Sequence, residues 1–311
     1  MTTPLSGRDL LALSDLTPSE VSLVLDTALA QKASWAAGDH SAPLSGRAAA
    51  LIFQKPSMRT RVSFEVGCAR LGVTPVVLVG EGSAFSRGET VADTTSVLER
   101  YVDAIVIRTF DQSFVAEIAD VASVPVVNAL TDDYHPCQGL ADLLTIREHK
   151  GALDALRFAY VGDGNNMAHT YLLAGALTGM DVAIATPAGF EPKAHIVAQA
   201  REIASETGAD ISIGIDPIAA VDGADVVATD TWASMGQEEE HAARIAAFAG
   251  FAVNPALMAE AADGAVFMHC LPAHRGEEVL DEVIDAPYSI VYDEAENRLH
   301  AQKALLSLLM G

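Results

Sequence analysis

Short apolar runs, each ended by Gly, Pro or a polar residue, alternate along the chain with helical patterns. This alternation constrains the fold more than any other feature, because it is what βαβ units building parallel sheets require. One group of runs is AAALIF (48–53), TPVVLV (74–79), AIVIR (104–108) and VPVVN (124–128). A second is LRFAYV (156–161), DVAIAT (181–186), ISIGI (211–215), DVVAT (225–229), AVFM (265–268) and SIVY (289–292). Between them, HPCQGLADLLTIREHKGAL carries Leu140, Leu143, Leu144 and Ile146 at helical spacing, and Gly151 ends that helix. The expected fold is α/β, with two doubly wound parallel-sheet domains at 1–150 and 151–311. The segment AENRLHAQKALLSLLMG reads as a terminal helix over about 294–310 that packs back on the first domain. A length of 311 residues suits two such cores.

Half of the residues are apolar and only 6% aromatic, as buried strands of an α/β protein require. The formal net charge of −23 argues against a nucleic-acid partner, since phosphate backbones need a basic face. Cys68, Cys137 and Cys270 are odd in number and lack CxxC spacing, so neither a disulfide framework nor a zinc knuckle is expected and a reducing cytoplasm fits. No apolar run approaches a membrane span, and MTTPLSGRDLLAL has no leader pattern, so an untargeted, cytoplasmic protein with no membrane partner is expected.

In this acidic chain the stretch KPSMRTR (55–61) holds three basic residues and no acidic one. It follows a strand and precedes a helical pattern in which Val62, Val66 and Ala69 share a face and Gly72 is a stop, which makes Ser57 an N-cap. The arginines then occupy the first helical turn, where the dipole disfavours cations by about 0.3–1 kcal/mol each. An anionic ligand reverses that sign. Backbone N–H groups, two hydroxyls and guanidinium forks together suit phosphate, whereas pairing of Arg61 with Glu65 and solvation of Arg59 is the plain alternative. The Walker A pattern is absent.

Polar residues just beyond the other strands extend the pattern, since open α/β sheets bind ligands at strand carboxyl ends. Arg108, His135 and Gln138 in the first group offer cations and donors for a phosphate and a neighbouring carbonyl. Asn165, Asn166, Asp230 to Gly236 (DTWASMG) and His269 to Pro272 (HCLP) in the second suit a polar cation such as an amino acid. Taken singly, Arg108 could be a surface residue, His135 a turn histidine and Cys270 a small buried hydrophobe. VGDGNNM opens like a dinucleotide fingerprint, but Met167 stands at the third glycine position and DVAIAT ends in Thr186-Pro187 without the ribose-binding acid, so no nicotinamide cofactor is expected.

Together these motifs resemble the aspartate/ornithine transcarbamylase family, over nearly the whole chain and most closely its ornithine-using members. KPSMRTR looks like the family's SxRTR motif, YHPCQ like HPxQ, DTWASMGQE like DxxxSMG, MHCLPAHRGEEV like the HCLP motif, and DEAENR like the family's closing segment. The resemblance implies a carbamoyl phosphate domain followed by an ornithine domain, an active site in the cleft between them, a homotrimer or a multiple of trimers, and neither cofactor nor metal. It implies transfer of the carbamoyl group from carbamoyl phosphate to the δ-amine of L-ornithine, giving L-citrulline and phosphate. By position, Ser57, Met58 (through its N–H), Arg59, Thr60 and Arg108 would hold the phosphate, and His135, Gln138 and Arg298 the carbamoyl group. Asn166, Asp230, Ser234 and Met235 would bind ornithine, with Cys270 and Leu271 at the junction of the substrates. Arg59, Arg108, His135, Asp230 and Cys270 are the residues it sets closest to the chemistry. Met58 stands where many members have Thr, and Ala84 where the family often has Gln or His reaching a neighbouring subunit, a role Ser83 or Arg87 could take. Another acceptor, such as putrescine, N-acetylornithine or aspartate, and a noncatalytic ligand-binding relative are the alternatives.

Overall fold

The computed structural model describes residues 3–80, 85, 88–233 and 240–311. The chain forms two compact units, one of Met1–Leu144 together with Glu296–Gly311 and one of Thr145–Ala295. In each, a parallel sheet is flanked by helices. Among the described residues no helix is long and apolar enough to cross a membrane.

In the first unit, β1 (Ala48–Phe53), β2 (Thr74–Val79), β3 (Ala104–Arg108) and β4 (Val126–Leu130) lie in the order β2-β1-β3-β4, all parallel. Ala50, Ile52, Ile105, Ile107 and Val126 pack with Val115 and Ile118 of the helix Gln112–Val121. All five residues of β3 are buried, as in a strand covered on both faces. β2 is an edge, which tolerates Pro75 and leaves Val76 and Val79 exposed.

In the second unit, β5 (Arg157–Val161), β6 (Asp181–Ala185), β7 (Ile211–Gly214), β8 (Val226–Thr229) and β9 (Val266–His269) lie in the order β7-β6-β5-β8-β9, again all parallel. Val161, Val227 and Phe267 pack with Trp232, Phe248 and Val283.

Both strand orders reverse direction once, between β1 and β3 in the first sheet and between β5 and β8 in the second. Successive crossovers leave such a point on opposite faces, which opens a crevice at the strands' carboxyl ends. KPSMRTR follows β1 and Arg108 ends β3, paired in register with Phe53. Asn165 follows β5 and Asp230 follows β8.

The helix Met58–Leu71 buries Phe64, Gly67, Cys68 and Leu71, and Val62, Val66 and Ala69 share its outward face. Two expectations need correction. VPVVN begins its strand two residues late, at Val126, because Pro125 supplies no ladder donor. SIVY makes only an isolated bridge from Ser289 to Phe267 before the helix Val291–Leu309 begins. Ile290 and Val291 are both buried, and two adjacent apolar residues satisfy either period.

Candidate active site

The first half-site is built on the helix Met58–Leu71. Ser57 caps it, its hydroxyl accepting from Thr60 N at 3.2 Å, so the first-turn N–H groups point toward the carboxyl end of β1. Thr60 is buried, and its hydroxyl accepts from two guanidiniums: Arg108 Nη1 at 3.4 Å and Arg298 Nη2 at 3.2 Å. Arg298 also donates from Nη1 to Gln138 Oε1 at 2.6 Å and from Nε to Gln302 Oε1 at 2.9 Å. Gln138 in turn donates to Asp142 at 2.7 Å, and Gln302 to Ser63 at 2.9 Å. Residues far apart in sequence thereby fix one fork-shaped donor at a helix N-terminus.

His135 reports the electrostatics of this place. Burial first, and then the charges of Arg298, Arg108 and Arg59, hold its pKa well below the ordinary imidazole value, so the ring is neutral at neutral pH. A neutral ring keeps one N–H to donate. Three guanidiniums and a helix dipole make the positive potential that an incoming dianion relieves.

Not every cation of KPSMRTR contributes. Lys55 is buried against Asp132 and lies 4.3 Å over the Phe110 ring, while Arg61 pairs with Glu65 at 2.6 Å. The Met58 side chain is 70% exposed, which leaves its backbone N–H as the group it can offer an anion. Cys137, in the variable position of HPxQ, is buried, donates to Asn128 O at 3.4 Å and has its thiol pushed up to about 12 by burial. It is a structural thiol.

The second half-site stands at the ends of β5, β8 and β9. Asn165 caps the helix Asn166–Thr178, accepting from Met167 N at 2.9 Å and Ala168 N at 3.3 Å, and its amide donates to Asp230 Oδ2 at 2.8 Å. The other Asp230 oxygen accepts from the Cys270 thiol at 3.3 Å. Asp230, Asn165 and Cys270 are thus one cluster, with the half-buried Asn166 next to it in the first helical turn. Leu271 lies in the left-handed region at φ 58, a costly conformation for a branched side chain, and its N–H donates to His269 Nδ1 at 2.9 Å. That leaves Nε2 to carry the His269 proton toward Glu278 Oε1 at 3.2 Å. The His269 N–H donates to Glu294 at 2.8 Å, and both glutamates are wholly buried. Ser234 and Met235, like Ser83, Ala84 and Arg87, lie outside the described residues.

Of the two asparagines that the sequence offers beyond β5, Asn165 donates to Asp230. Three residues were not legible in the sequence. Glu278 and Glu294 back His269, and only the position of Glu278 inside MHCLPAHRGEEV could have drawn attention to it. Arg244 is buried, donating to Asp163 at 2.9 Å and to the carbonyl of Trp232 at 2.8 Å, which ties the start of the DTWASMG segment to the turn after β5. Burial outweighs the neighbouring guanidinium and raises Asp163 to about 6. The G-x-G of that turn has a local cause: a Cβ on Gly164 would lie 2.3 Å from Pro192 N and 2.4 Å from Phe190 O. The space a pyrophosphate would need is filled by the chain's own backbone.

Comparison with known proteins bears directly on each of these clusters. Residues 8–148 match the family model for the aspartate/ornithine carbamoyltransferase carbamoyl-P binding domain, and residues 154–309 that for the Asp/Orn binding domain. Ornithine carbamoyltransferase of Acidothermus cellulolyticus is 56% identical over 97% of this chain and 96% of its own length. The anabolic ornithine carbamoyltransferase of Pyrococcus furiosus is 51% identical over 100% and 99%. A solved structure of the Pyrococcus furiosus ornithine carbamoyltransferase superposes with a TM-score of 0.97 at 50% identity, covering 100% of this chain and 99% of that one. The Gloeobacter violaceus enzyme gives 0.88 at 46% identity, covering all of both chains. Sequence, fold and site chemistry agree: the chain belongs to the aspartate/ornithine carbamoyltransferase family.

Proposed function

We propose that this protein transfers the carbamoyl group of carbamoyl phosphate to the δ-amine of L-ornithine, forming L-citrulline and phosphate. The observation that carries the reading is the convergence of Arg108 and Arg298 on Thr60 beside a neutral His135, at the mouth of a Ser57-capped helix. Such a place binds a dianion and offers uncharged and charged donors to an adjacent carbonyl. Ser57, the Met58 N–H, Arg59, Thr60 and Arg108 hold the phosphate, while His135, Gln138 and Arg298 address the carbamoyl group.

Ornithine is held by Asn166, Asp230, Ser234 and Met235, with Cys270 and Leu271 beside the reacting amine. That amine, ordinarily protonated with a pKa near a lysine's at about 10.4, reacts as its neutral form. Its lone pair adds to the carbamoyl carbon, and Arg59, Thr60 and His135 stabilise the tetrahedral oxyanion. The C–O bond to phosphate then breaks with its electron pair, and the proton lost from nitrogen leaves on hydrogen phosphate. Positioning supplies most of the catalysis. Asp230, oriented by Asn165 and Cys270, supplies the negative charge an ammonium seeks.

The enzyme works as a homotrimer or a multiple of trimers in the cytoplasm. Met58, Val62 and Val66, spaced four apart on the outward face of their helix, and Val76 and Val79 on the edge strand are apolar and exposed, which supports association of copies through the first unit. Citrulline formation by the purified protein, with ornithine, putrescine, N-acetylornithine and aspartate offered separately, tests the reaction. Turnover with ornithine alone is expected. Product only from another acceptor reassigns the second half-site, and none from any of the four favours a binding protein.

A further inference from the structure

Beyond β9 the chain makes a tight turn, His274 to Glu278, whose side chains converge. Glu278 is wholly buried, yet its two oxygens differ. Oε1 accepts from His274 N at 2.5 Å and faces His269 Nε2 at 3.2 Å, whereas Oε2 has no hydrogen-bond partner among the described residues. The Oε2 atom lies 3.9 Å from His274 Nδ1, and so does Glu277 Oε2. Glu277 Oε2 is also 3.1 Å from Nε2 of His241, which belongs to the separate helix His241–Ala247. One ligand atom from each of His274, Glu277 and Glu278 lies within 4.8 Å of the others.

A buried carboxylate oxygen without a donor is costly, and 3.9 Å is too long for a hydrogen bond from His274. A cation between the three side chains resolves both facts. We propose that His274, Glu277 and Glu278 bind a divalent transition-metal ion of the zinc class, with His241 available as a fourth ligand. Imidazole and carboxylate ligands suit this class, and bonds near 2.0–2.1 Å require ligand atoms about 3.3 Å apart in a tetrahedron. The observed separations need to shrink by only a fraction of an ångström to about an ångström and a half.

The turn is held ready for this. Gly276, at φ 89, donates to Val279 O at 2.9 Å, and Glu277 N donates to His274 O at 2.9 Å. Arg275 is pinned to Asp281 at 2.7 Å and Asp285 at 2.6 Å. The site is distinct from the cluster of Asp230, His269 and Cys270, which belongs to the half-site already described. It touches that half-site through one carboxylate, because Glu278 Oε1 is the partner of His269.

The test titrates Zn2+ into the full chain carrying Cys270→Ser, which removes the competing thiolate, by calorimetry and equilibrium dialysis. Co2+ is used in parallel for its visible spectrum. One ion per chain is expected, bound tenfold or more weakly after either His274→Ala or Glu277→Gln. Both replaced side chains are partly exposed, so the metal-free melting temperature should stay unchanged, and Zn2+ should raise it only in the parent. Binding weaker than about 0.1 mM in the parent overturns the proposal, as does undiminished affinity in either variant.

Discussion

Arg298 touches more of the first half-site than any single motif suggests, since its fork joins Thr60, Gln138 and Gln302. Lysine keeps the charge but not the fork. Arg298→Lys should therefore raise the KM for carbamoyl phosphate about 10- to 100-fold, the equivalent of one charged hydrogen bond, in steady-state kinetics. His135 makes a prediction with a definite sign. Its folded pKa lies below the unfolded value of about 6.5, so it contributes stability that is present above pH 6.5 and is lost as pH falls further. Urea unfolding of His135→Gln should show a shallower loss below pH 6.5 than the parent, and an identical slope would contradict the buried neutral ring. Asp163 has the opposite sign. Its pKa is raised to about 6, so its contribution is present below about pH 4 and fades as pH rises through 6. Because Arg244 links Asp163 to the Trp232 carbonyl, Trp232 emission in a Trp35→Phe background should titrate near pH 6, and Asp163→Asn should remove that step. At this scale the sequence was legible where a motif carried the residue: Ser57, Arg59, Thr60, Arg108, His135 and Gln138 fall within one charged neighbourhood. It was illegible where a distant partner decides. Nothing in the stretch itself shows that Lys55 is paired by Asp132, 77 residues away.

Hydrophobic runs bounded by Gly and Pro were enough to place the strands, because parallel strands buried on both faces leave few other readings. Failure came where the two periods coincide, as at Ile290 and Val291; the face shared by Val62 and Val66 was legible, but not which way it turns. A pattern cannot say whether an apolar stripe meets its own core or another copy. Gly164 illustrates a different ambiguity, since the same G-x-G serves a nucleotide in one fold and a crossing backbone here. The approach is to backbone at 2.3 Å, so Gly164→Ala should destabilise the protein by about 1–3 kcal/mol or more, measured by denaturant midpoint. An unchanged midpoint would mean that the Phe190–Pro192 segment yields easily.

For the whole molecule, light scattering should give a mass near three times 32.6 kDa or a multiple of that. Val62→Asp with Val66→Asp places charges in the outward stripe and should shift the mass toward a single chain while leaving the isolated fold intact. A trimer that survives both changes would move the interface elsewhere. The chain carries a net charge of −23, so the guanidinium cluster is a local exception in a field that repels anions. The first unit is discontinuous, and the hydrogen-bond network at Thr60 is closed by a side chain made 160 residues after Gln138. A growing chain emerging from the ribosome therefore carries Ser57, Thr60, Arg108 and His135 through the synthesis of the entire second unit before Arg298 can reach them. Throughout that interval Thr60 and Gln138 await the guanidinium that joins them, so this network is completed by the last helix to be made.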